Sequence, residues 1–147
     1  MKTACLPSLA RRVHGSTKCV LLARGLGAEN VLALRRMLEA LHFPVVVAGT
    51  LKAAMAACRN NAPALLLTPA TEEGLRLLWL ARRRMDKAVL RLAILTQPHV
   101  ELTLQALAAG AQECLSLPCD MQLLAQRLRQ MRATMMDKER DVRLAAS

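Results

Sequence analysis

Aromatic residues are almost missing from this chain, which has one Phe, one Trp and no Tyr among its 147 residues. Proteins that bind single-stranded nucleic acid by stacking need several aromatic side chains on one surface. The composition therefore excludes a base-stacking surface of that kind. Because Leu, Ala, Val and Met supply most of the 54% apolar content, the core must be aliphatic, and the length suits a single domain.

Long apolar runs and paired cysteine motifs are also missing. No uninterrupted apolar stretch approaches the roughly 20 residues that a membrane-spanning helix needs. The five cysteines are odd in number and form no Cys-x-x-Cys motif, which favours a reduced, cytoplasmic protein over a disulfide-bonded secreted one. We interpret residues 1–17 as a leader without clear periodicity, although a basic segment free of acidic residues also resembles an organellar transit peptide.

Acidic residues are scarce, because 11 Asp and Glu stand against 21 Lys and Arg, for a net charge of +10. Such a balance is typical either of a chain that meets a polyanion or of an arginine-rich solvated surface. The densest basic run is Arg82-Arg83-Arg84 with Lys87. It is either a helix end whose cations complement the helix dipole or a contact for nucleic acid or an acidic partner.

Five short apolar runs alternate with five helical patterns along the chain. The runs occupy residues 18–23, 45–48, 64–67, 92–95 and 114–117. They are continuously apolar, which is typical of strands buried on both faces. Alternation of this kind predicts right-handed βαβ crossovers and a parallel sheet. The sequence therefore predicts a doubly wound α/β domain with helices on both faces of the sheet.

The stretch from Leu92 to Pro118 resembles part of a known family. One apolar run ends at Thr96, and a helical segment from Pro98 to Ala108 follows. Gly110 opens a Gly-Ala corner, and a second apolar run ends at Leu117 before the proline. This resembles the last third of a response-regulator receiver domain, in which the corresponding strands end in Ser or Thr and in Lys-Pro. The resemblance covers about residues 18–131. It implies a flavodoxin-like fold whose five-stranded parallel sheet has the order 2-1-3-4-5.

The resemblance also implies where phosphorylation chemistry would lie. Receiver domains hold Mg²⁺ with an acidic pair after strand one and phosphorylate an Asp at the end of strand three. A hydroxyl after strand four and a Lys after strand five bind the phosphoryl oxygens. The matching positions in this sequence are Ala23 and Arg24 for the acidic pair, Pro69 or Thr68 for the phosphorylated Asp, Thr96 for the hydroxyl and Leu117 for the Lys. Only the hydroxyl is kept.

These differences predict a pseudo-receiver that performs no Mg²⁺-dependent phosphoryl transfer, needs no cofactor and is not an enzyme. No carboxylate, His or Lys stands at the predicted strand ends, so a different reaction would also lack an acid–base pair. The three histidines have no ligand spacing, so no metal site is predicted. We expect Thr96 to bond a nearby backbone group. We further hypothesise that the Arg24 guanidinium fills the place of the metal and locks one conformation.

A regular apolar stripe follows Asp120, which we expect to cap the last helix, and no Gly or Pro occurs as far as Leu144. Its members repeat at the three- and four-residue spacing of a heptad. The stripe predicts either a dimer helix or an ordinary amphipathic helix with a polar tail. Because a receiver's last helix would end near residue 131, we predict a helical C-terminal extension over 132–147. The members of the possible dimer helix are Met121, Leu124, Leu128, Met131 and Met135.

The sequence therefore predicts a receiver-like regulatory domain in bacterial signalling or transcriptional control, which acts through a protein partner or as a homodimer. Two alternatives stay open. The net charge and the Arg82 run favour a basic regulator that binds nucleic acid directly. Receiver-like domains without the Asp are also known as localisation modules of ATPases in pilus or secretion assembly.

Overall fold

The computed structural model describes residues 18–60, 62–85, 89–118 and 120–146, with the side chains of 135–143 and 146 excepted. The predicted leader at 1–17 and the basic residue Lys87 lie outside the described residues. The strands are β1 (Cys19–Leu22), β2 (Val45–Ala48), β3 (Leu65–Pro69), β4 (Leu90–Leu95) and β5 (Glu113–Ser116). The helices are α1 (Ala28–Ala40), α2 (Leu51–Asn60), α3 (Glu72–Arg84), α4 (Val100–Ala109) and α5 (Met121–Ala146).

The strands form one parallel sheet in the order β2-β1-β3-β4-β5. This is the order that the receiver resemblance implies, and the predicted fold class is confirmed. Leu21 on β1 lies level with Val47 on β2 and with Leu67 on β3. Because all five strands run the same way, their carboxyl ends meet at one edge of the sheet, where ligands of such folds bind.

Helices cover both faces of the sheet, as predicted. On one face α1 and α5 pack over Leu21, Leu67 and Ile94. On the other face α2 and α3 pack over Val20 and Leu66, and α4 packs beside α3 over Ala93. Burial on both faces explains why the strand sequences are continuously apolar rather than alternating. Within the described ranges, none of the helices is both long enough and apolar enough to cross a membrane.

Several element boundaries differ from the sequence prediction, among them the end of β3 and the start of α4. β3 continues through Thr68 and Pro69, where the apolar run was expected to stop, because both residues pair with β4. α4 begins at Val100 rather than at Pro98, because His99 caps it: the Leu102 amide donates to His99 Nδ1 at 3.2 Å. The described elements therefore keep the predicted order and move by one to two residues at these ends.

The start of the last helix also differs in detail from a simple capping arrangement. Asp120 was expected to cap this helix. Its carboxylate instead accepts a hydrogen bond from the amide of Ser116, four residues earlier in the chain, at 2.7 Å. The Asp120 amide donates in turn to the Ser116 carbonyl at 2.8 Å. This reciprocal pair closes the turn through the cis Leu117–Pro118 bond and fixes how α5 leaves β5.

Candidate functional site

The sequence-predicted receiver positions meet at the carboxyl edge of the sheet. Pro69 pairs with Ile94, and Leu95 pairs with Ser116, which brings the ends of β3, β4 and β5 side by side. β1 joins them through its pairing with β3. The chain therefore keeps the receiver arrangement of strand ends, and the chemistry of this edge depends on the side chains there.

The position of the phosphorylated Asp is occupied by Pro69, and the following helix closes directly upon it. A Cβ atom added to Gly74 in the first turn of α3 would lie 1.8 Å from the Pro69 carbonyl oxygen. Thr71 starts this helix, because its Oγ1 accepts a hydrogen bond from the Gly74 amide at 3.2 Å. The backbone of α3 thus lies against the end of β3, at the place where a receiver would need room for a phosphoryl group.

Arg24 stands at the second position of the missing acidic pair and contacts the first turn of α3. Its guanidinium donates to Glu73 at 3.0 Å, and its side chain is 66% exposed. The hypothesis that Arg24 takes the place of the metal and locks one conformation stays a prediction. The ion pair joins the β1–α1 turn to the start of α3. In the same turn Gly25 has a φ of +94° and packs close to Thr71.

Thr68 is the alternative match to the phosphorylated Asp, and it points away from the edge into the core. It is 0% exposed and is the only buried polar residue among those described. It shares a strand face with Leu66, which packs against α2 and α3. Its Oγ1 is buried and has no hydrogen-bond partner in the described part of the chain. An incoming phosphoryl group could not reach this hydroxyl.

The last two receiver positions, Thr96 and Leu117, have opposite environments. Thr96 is exposed, and within the described ranges no hydrogen bond to it is found, so the expected bond to a backbone group is not formed. Leu117 is 2% exposed and belongs to the core cluster under α1 and α5. A hydroxyl therefore faces solvent where the family has one, while the position of the family's cation is part of the apolar core.

A magnesium ion does not fit the residues of this edge. Mg²⁺ binds oxygen ligands in octahedral geometry and needs at least one or two carboxylates. Ala23 offers no side-chain oxygen, Arg24 carries a positive charge, and Glu73 is already paired with that charge. Among the described residues, no group of three His, Cys, Asp or Glu converges as a metal site. Of the groups that bind a transferred phosphoryl group in the family, the described part of this edge keeps the Thr96 hydroxyl and lacks the Lys and the acidic pair.

The predicted basic run divides into residues with different roles. Arg82 reaches across to α4, where its guanidinium lies 3.5 Å from the Ala108 carbonyl, and its stem packs on Gly110. Arg83 lies over the ring of Trp79, with its Cζ 4.5 Å from the ring centroid. Arg84 is exposed at the end of α3. Arg82 therefore has a structural contact, whereas Arg83 and Arg84 remain at the surface.

The C-terminal stripe is used inside the domain over its first four members. Leu124 and Leu128 are 0% exposed, and Met121 and Met131 pack against the same cluster. A coiled-coil seam needs such residues free to meet a second helix, so these four cannot form one in this fold. The helix continues without a break to Ala146. Met135 lies on this continuation, and its side chain is outside the described residues. The domain boundary at residue 131 and the dimer helix stay predictions.

An exposed apolar stripe on α4 was missed in the sequence. Val100 is 78% exposed, Leu104 61% and Leu107 42%. Their spacing of four and three residues places them on one side of the helix, while Ala106 faces the core. The sequence did contain a sign of this stripe. The helix has apolar residues all round, whereas burial against the core requires them on one face only. A shallow groove of about 230 Å³ runs beside Val100 and Leu104 towards Ser116.

No family model matches the sequence, and no curated protein does so either. Solved structures do match the fold. One is the signal receiver domain of an HD-domain-containing protein from Pseudomonas fluorescens Pf-5, with 20% identity and a TM-score of 0.70 over 84% of this chain and 99% of that one. Another is a response regulator from Thermotoga maritima, with 18% identity and a TM-score of 0.68 over 80% and 98%.

A third match is an atypical orphan response regulator described as having a phosphorylation-independent regulatory mechanism. It has 14% identity and a TM-score of 0.66 over 78% of this chain and 93% of that one. The matches span nearly the whole length of these neighbours. Because the sequence identities are low, the matches establish similarity of fold alone. Together with the sheet order and the arrangement of strand ends, they show that this chain has the fold of a response-regulator receiver domain.

Proposed function

We propose that this chain is a receiver-like regulatory domain that acts through protein–protein contacts and without phosphoryl transfer. The observation that carries the proposal is the closure of α3 on Pro69. A receiver needs a carboxylate and free space at this point, and here there is a proline with the Gly74 backbone packed against it. The neighbour with a phosphorylation-independent mechanism is a precedent for regulation on this fold without that chemistry.

The apolar stripe of α4 supports contact with a protein. Exposed apolar side chains that cluster on one helix face are typical of interaction sites. Leu104 lies at the centre of this stripe, and Trp79 on the neighbouring α3 is 47% exposed. Aromatic residues, Met and Arg are enriched in interface cores, and Arg83 over Trp79 is such a pair.

Light scattering with a phosphoryl donor tests this function. The full chain is measured over a concentration series, with and without acetyl phosphate and Mg²⁺, beside the variant Leu104→Glu and the exposed control Gln105→Glu. We expect masses that do not respond to the donor. Association through the α4 stripe should be weakened by Leu104→Glu and kept by the control, whereas association through α5 should be kept by both variants. A mass that changes when acetyl phosphate is added would overturn the proposal.

The partner is either a second copy of the chain or another protein. The part of α5 beyond Met131 is the segment that we propose for self-association, since the preceding stripe is buried in the domain. Comparison of residues 1–147 with a chain that ends at Met131 separates the two cases. A dimer that becomes a monomer on shortening places the contact on the extension, and a monomer in both cases directs the search to a different protein.

A second candidate is direct contact with nucleic acid, which the net charge of +10 favours. The exposed Arg83 and Arg84 at the end of α3 are the described residues that suit it best. Binding of this kind weakens steeply with salt, because phosphate contacts release counterions. A filter-binding series with duplex DNA at increasing salt tests it. Absence of binding at low salt would remove this candidate.

A further inference from the structure

Strand β2 is an outermost strand of the sheet, and half of its backbone groups face away from β1. This is the lateral edge of the sheet, not the edge formed by the carboxyl ends of the strands. The Pro44 carbonyl accepts from the Cys19 amide at 2.7 Å, and the Ala48 carbonyl accepts from the Ala23 amide at 2.8 Å. Backbone groups alternate in direction along a parallel strand. The amides and carbonyls of Val45 and Val47 therefore point outward from the sheet. β1 is the one strand paired with β2 in the described part of the chain.

This edge has little of the usual protection against a further strand: it is short, at four residues, and Pro44 precedes it, but the strand itself carries no charge, proline or bulge. Natural edge strands carry charges, prolines or bulges that discourage pairing. Here the strand reads Val-Val-Val-Ala and pairs with β1 in continuous register. Val46 is 37% exposed and Val47 is 38% exposed. Leu32 on α1 is 47% exposed. Within the described ranges, the edge therefore offers backbone groups that have no backbone partner, together with apolar contact area.

A wide groove at the carboxyl end of β2 extends this surface. It has a volume of about 730 Å³ and lies between α1 and the Gly49-Thr50 turn. Leu32 forms part of its apolar wall, and the charged side chains that line it are Arg24 and Arg35. Both arginines are more than half exposed, at 66% and 57%. Their ion pairs are therefore weak and can be exchanged for contacts with a ligand.

We propose that β2 accepts an extended, acidic segment of a partner protein as a sixth strand. Its backbone would bond the outward groups of Val45 and Val47, as in other cases of strand addition. Alternate apolar side chains would cover Val47 and Leu32. The acidic side chains would pair with Arg24 and Arg35 at the end of the groove.

Charge decides the kind of partner. A second copy of this chain that paired through its own β2 would bring the strand Val-Val-Val-Ala, which has no acidic side chain for Arg24 and Arg35. Residues 1–17 contain Lys2, Arg11 and Arg12 and no acidic residue, so they are poorly suited as well. A segment rich in Glu or Asp complements the groove and is the occupant that the charges favour.

This surface is separate from the one that carries the proposed function. β2 lies at one edge of the sheet, and α4 connects the two strands at the other end of the sheet order. The variant Leu104→Glu should therefore leave strand addition unchanged. Failure of the α4 contact and failure of strand addition can be told apart.

The test uses the full chain and a fluorescent decapeptide that alternates valine with glutamate. Fluorescence anisotropy measures binding to the wild-type chain, and amide hydrogen exchange locates it. We expect saturable binding and slower exchange of the Val45 and Val47 amides. A matched peptide with lysine in place of glutamate should bind at least about tenfold more weakly, because it meets the arginines with like charge.

Two variants examine the backbone and the charge separately. Val47→Pro removes an outward amide while sparing the groups that face β1, as prolines on edge strands do, and we expect about tenfold weaker binding. Arg35→Glu should weaken binding by a similar factor, whereas the exposed control Arg129→Glu on α5 should not. Circular dichroism establishes that each variant is folded. If Val47→Pro does not fold, Arg35→Glu and the two peptides decide the question.

Several results would overturn the proposal. One is the absence of saturable glutamate-peptide binding at millimolar concentration. A second is equal binding of the lysine peptide. A third is protection from exchange at α4 rather than at Val45 and Val47, which would assign the peptide to the other surface.

Discussion

At the scale of single residues, Thr68 is a polar side chain without a polar partner. Its hydroxyl is fully buried and unsatisfied among the described residues. Leaving such a group without a hydrogen bond costs stability, and Val has nearly the same shape. We expect Thr68→Val to raise the free energy of unfolding by about 1 kcal/mol, measured by urea denaturation. The exposed control Thr96→Val should change it little. A loss of stability in Thr68→Val would mean that the hydroxyl has a partner.

Substitution of Leu117 tests whether a lysine, which the family has at the matching position, can be accommodated in this fold. The residue is 2% exposed and packs with Leu124 and Leu128. A lysine there would bring a charge into an apolar core. The positions where the family has carboxylates to pair with it are occupied by Ala23 and Pro69. We expect Leu117→Lys to lower the free energy of unfolding by roughly 3 kcal/mol or more. Leu117→Met conserves volume and should cost less than about 1.5 kcal/mol. Equal stability of the two variants would contradict this view of the position.

The types of residue at the strand ends could be read from the sequence, but their directions could not. The matches of Ala23, Pro69 and Leu117 follow from the ends of apolar runs, and these positions do meet at one edge. The direction of Arg24 depends on Glu73, which is 49 residues away along the chain. A pairing of that range has no local signal, so the contact between Arg24 and Glu73 could not be predicted from the sequence.

At the scale of elements, the joint between β3 and α3 depends on one glycine. In most helix interiors Gly→Ala is stabilising because alanine restricts the unfolded chain. At Gly74 the new Cβ would lie 1.8 Å from the Pro69 carbonyl oxygen, so the backbone must move. We expect Gly74→Ala to lower the free energy of unfolding by about 3 kcal/mol, measured by thermal and urea denaturation.

Gly49 is the matched control for this joint, because an added Cβ there meets nothing within 4 Å. Gly49→Ala should change the free energy of unfolding by less than about 0.5 kcal/mol. If Gly74→Ala were as stable as the control, α3 would not be closed on the end of β3. Phosphoryl transfer would then be opposed by the missing carboxylates alone.

Existence and order of the elements were predictable, and their ends were less so. Buried parallel strands have a strong sequence signal, since each run is apolar throughout. The start of α4 was misplaced because His99 is an uncommon capping residue, whereas the Ser, Thr, Asp and Asn caps have a recognised signal. The exposed face of α4 was missed for a different reason. Apolar periodicity identifies a helix but does not tell which apolar residues stay outside.

At the scale of the whole molecule, buried thiols make stability depend on alkaline pH. Burial raises the pKa of Cys19 far above its ordinary value of 9.0. Burial also raises the pKa of Cys58 to about 11, although Lys18 opposes the shift. Above pH 9 the unfolded chain loses thiol protons that the folded chain retains. Stability is therefore complete below pH 9 and falls as the pH rises towards and through the folded pKa values.

Chemical denaturation at pH 8, 9 and 10 measures this fall, which reaches about 1.4 kcal/mol per pH unit for a thiol as buried as Cys19. The variant Cys19→Ala should be less stable at pH 8 because it leaves a cavity. It should nevertheless lose less stability on going to pH 10. An identical alkaline slope in both proteins would contradict the assignment to this thiol.

The overall fold could be predicted from the sequence because few rules determine the topology. Alternating strands and helices with right-handed crossovers leave few sheet orders, and the Thr96 and Gly110 signals selected the observed one. The molecular surface was not within reach. Contacts between α3 and α4 determine which side chains of the basic run around Arg82 and of the apolar stripe at Leu104 are exposed. The sequence does not specify these contacts.

The most direct test of phosphorylation-independent action is a nuclear magnetic resonance titration of the full chain with Mg²⁺ and then with beryllofluoride, which mimics a phosphoryl group. With no carboxylate at Ala23, Arg24 or Pro69, we expect the amide signals around the carboxyl edge of the sheet to stay unchanged. Saturable shifts at Ala23, Thr68 and Thr96 that require Mg²⁺ would show a working phosphoryl site and would contradict the proposed function.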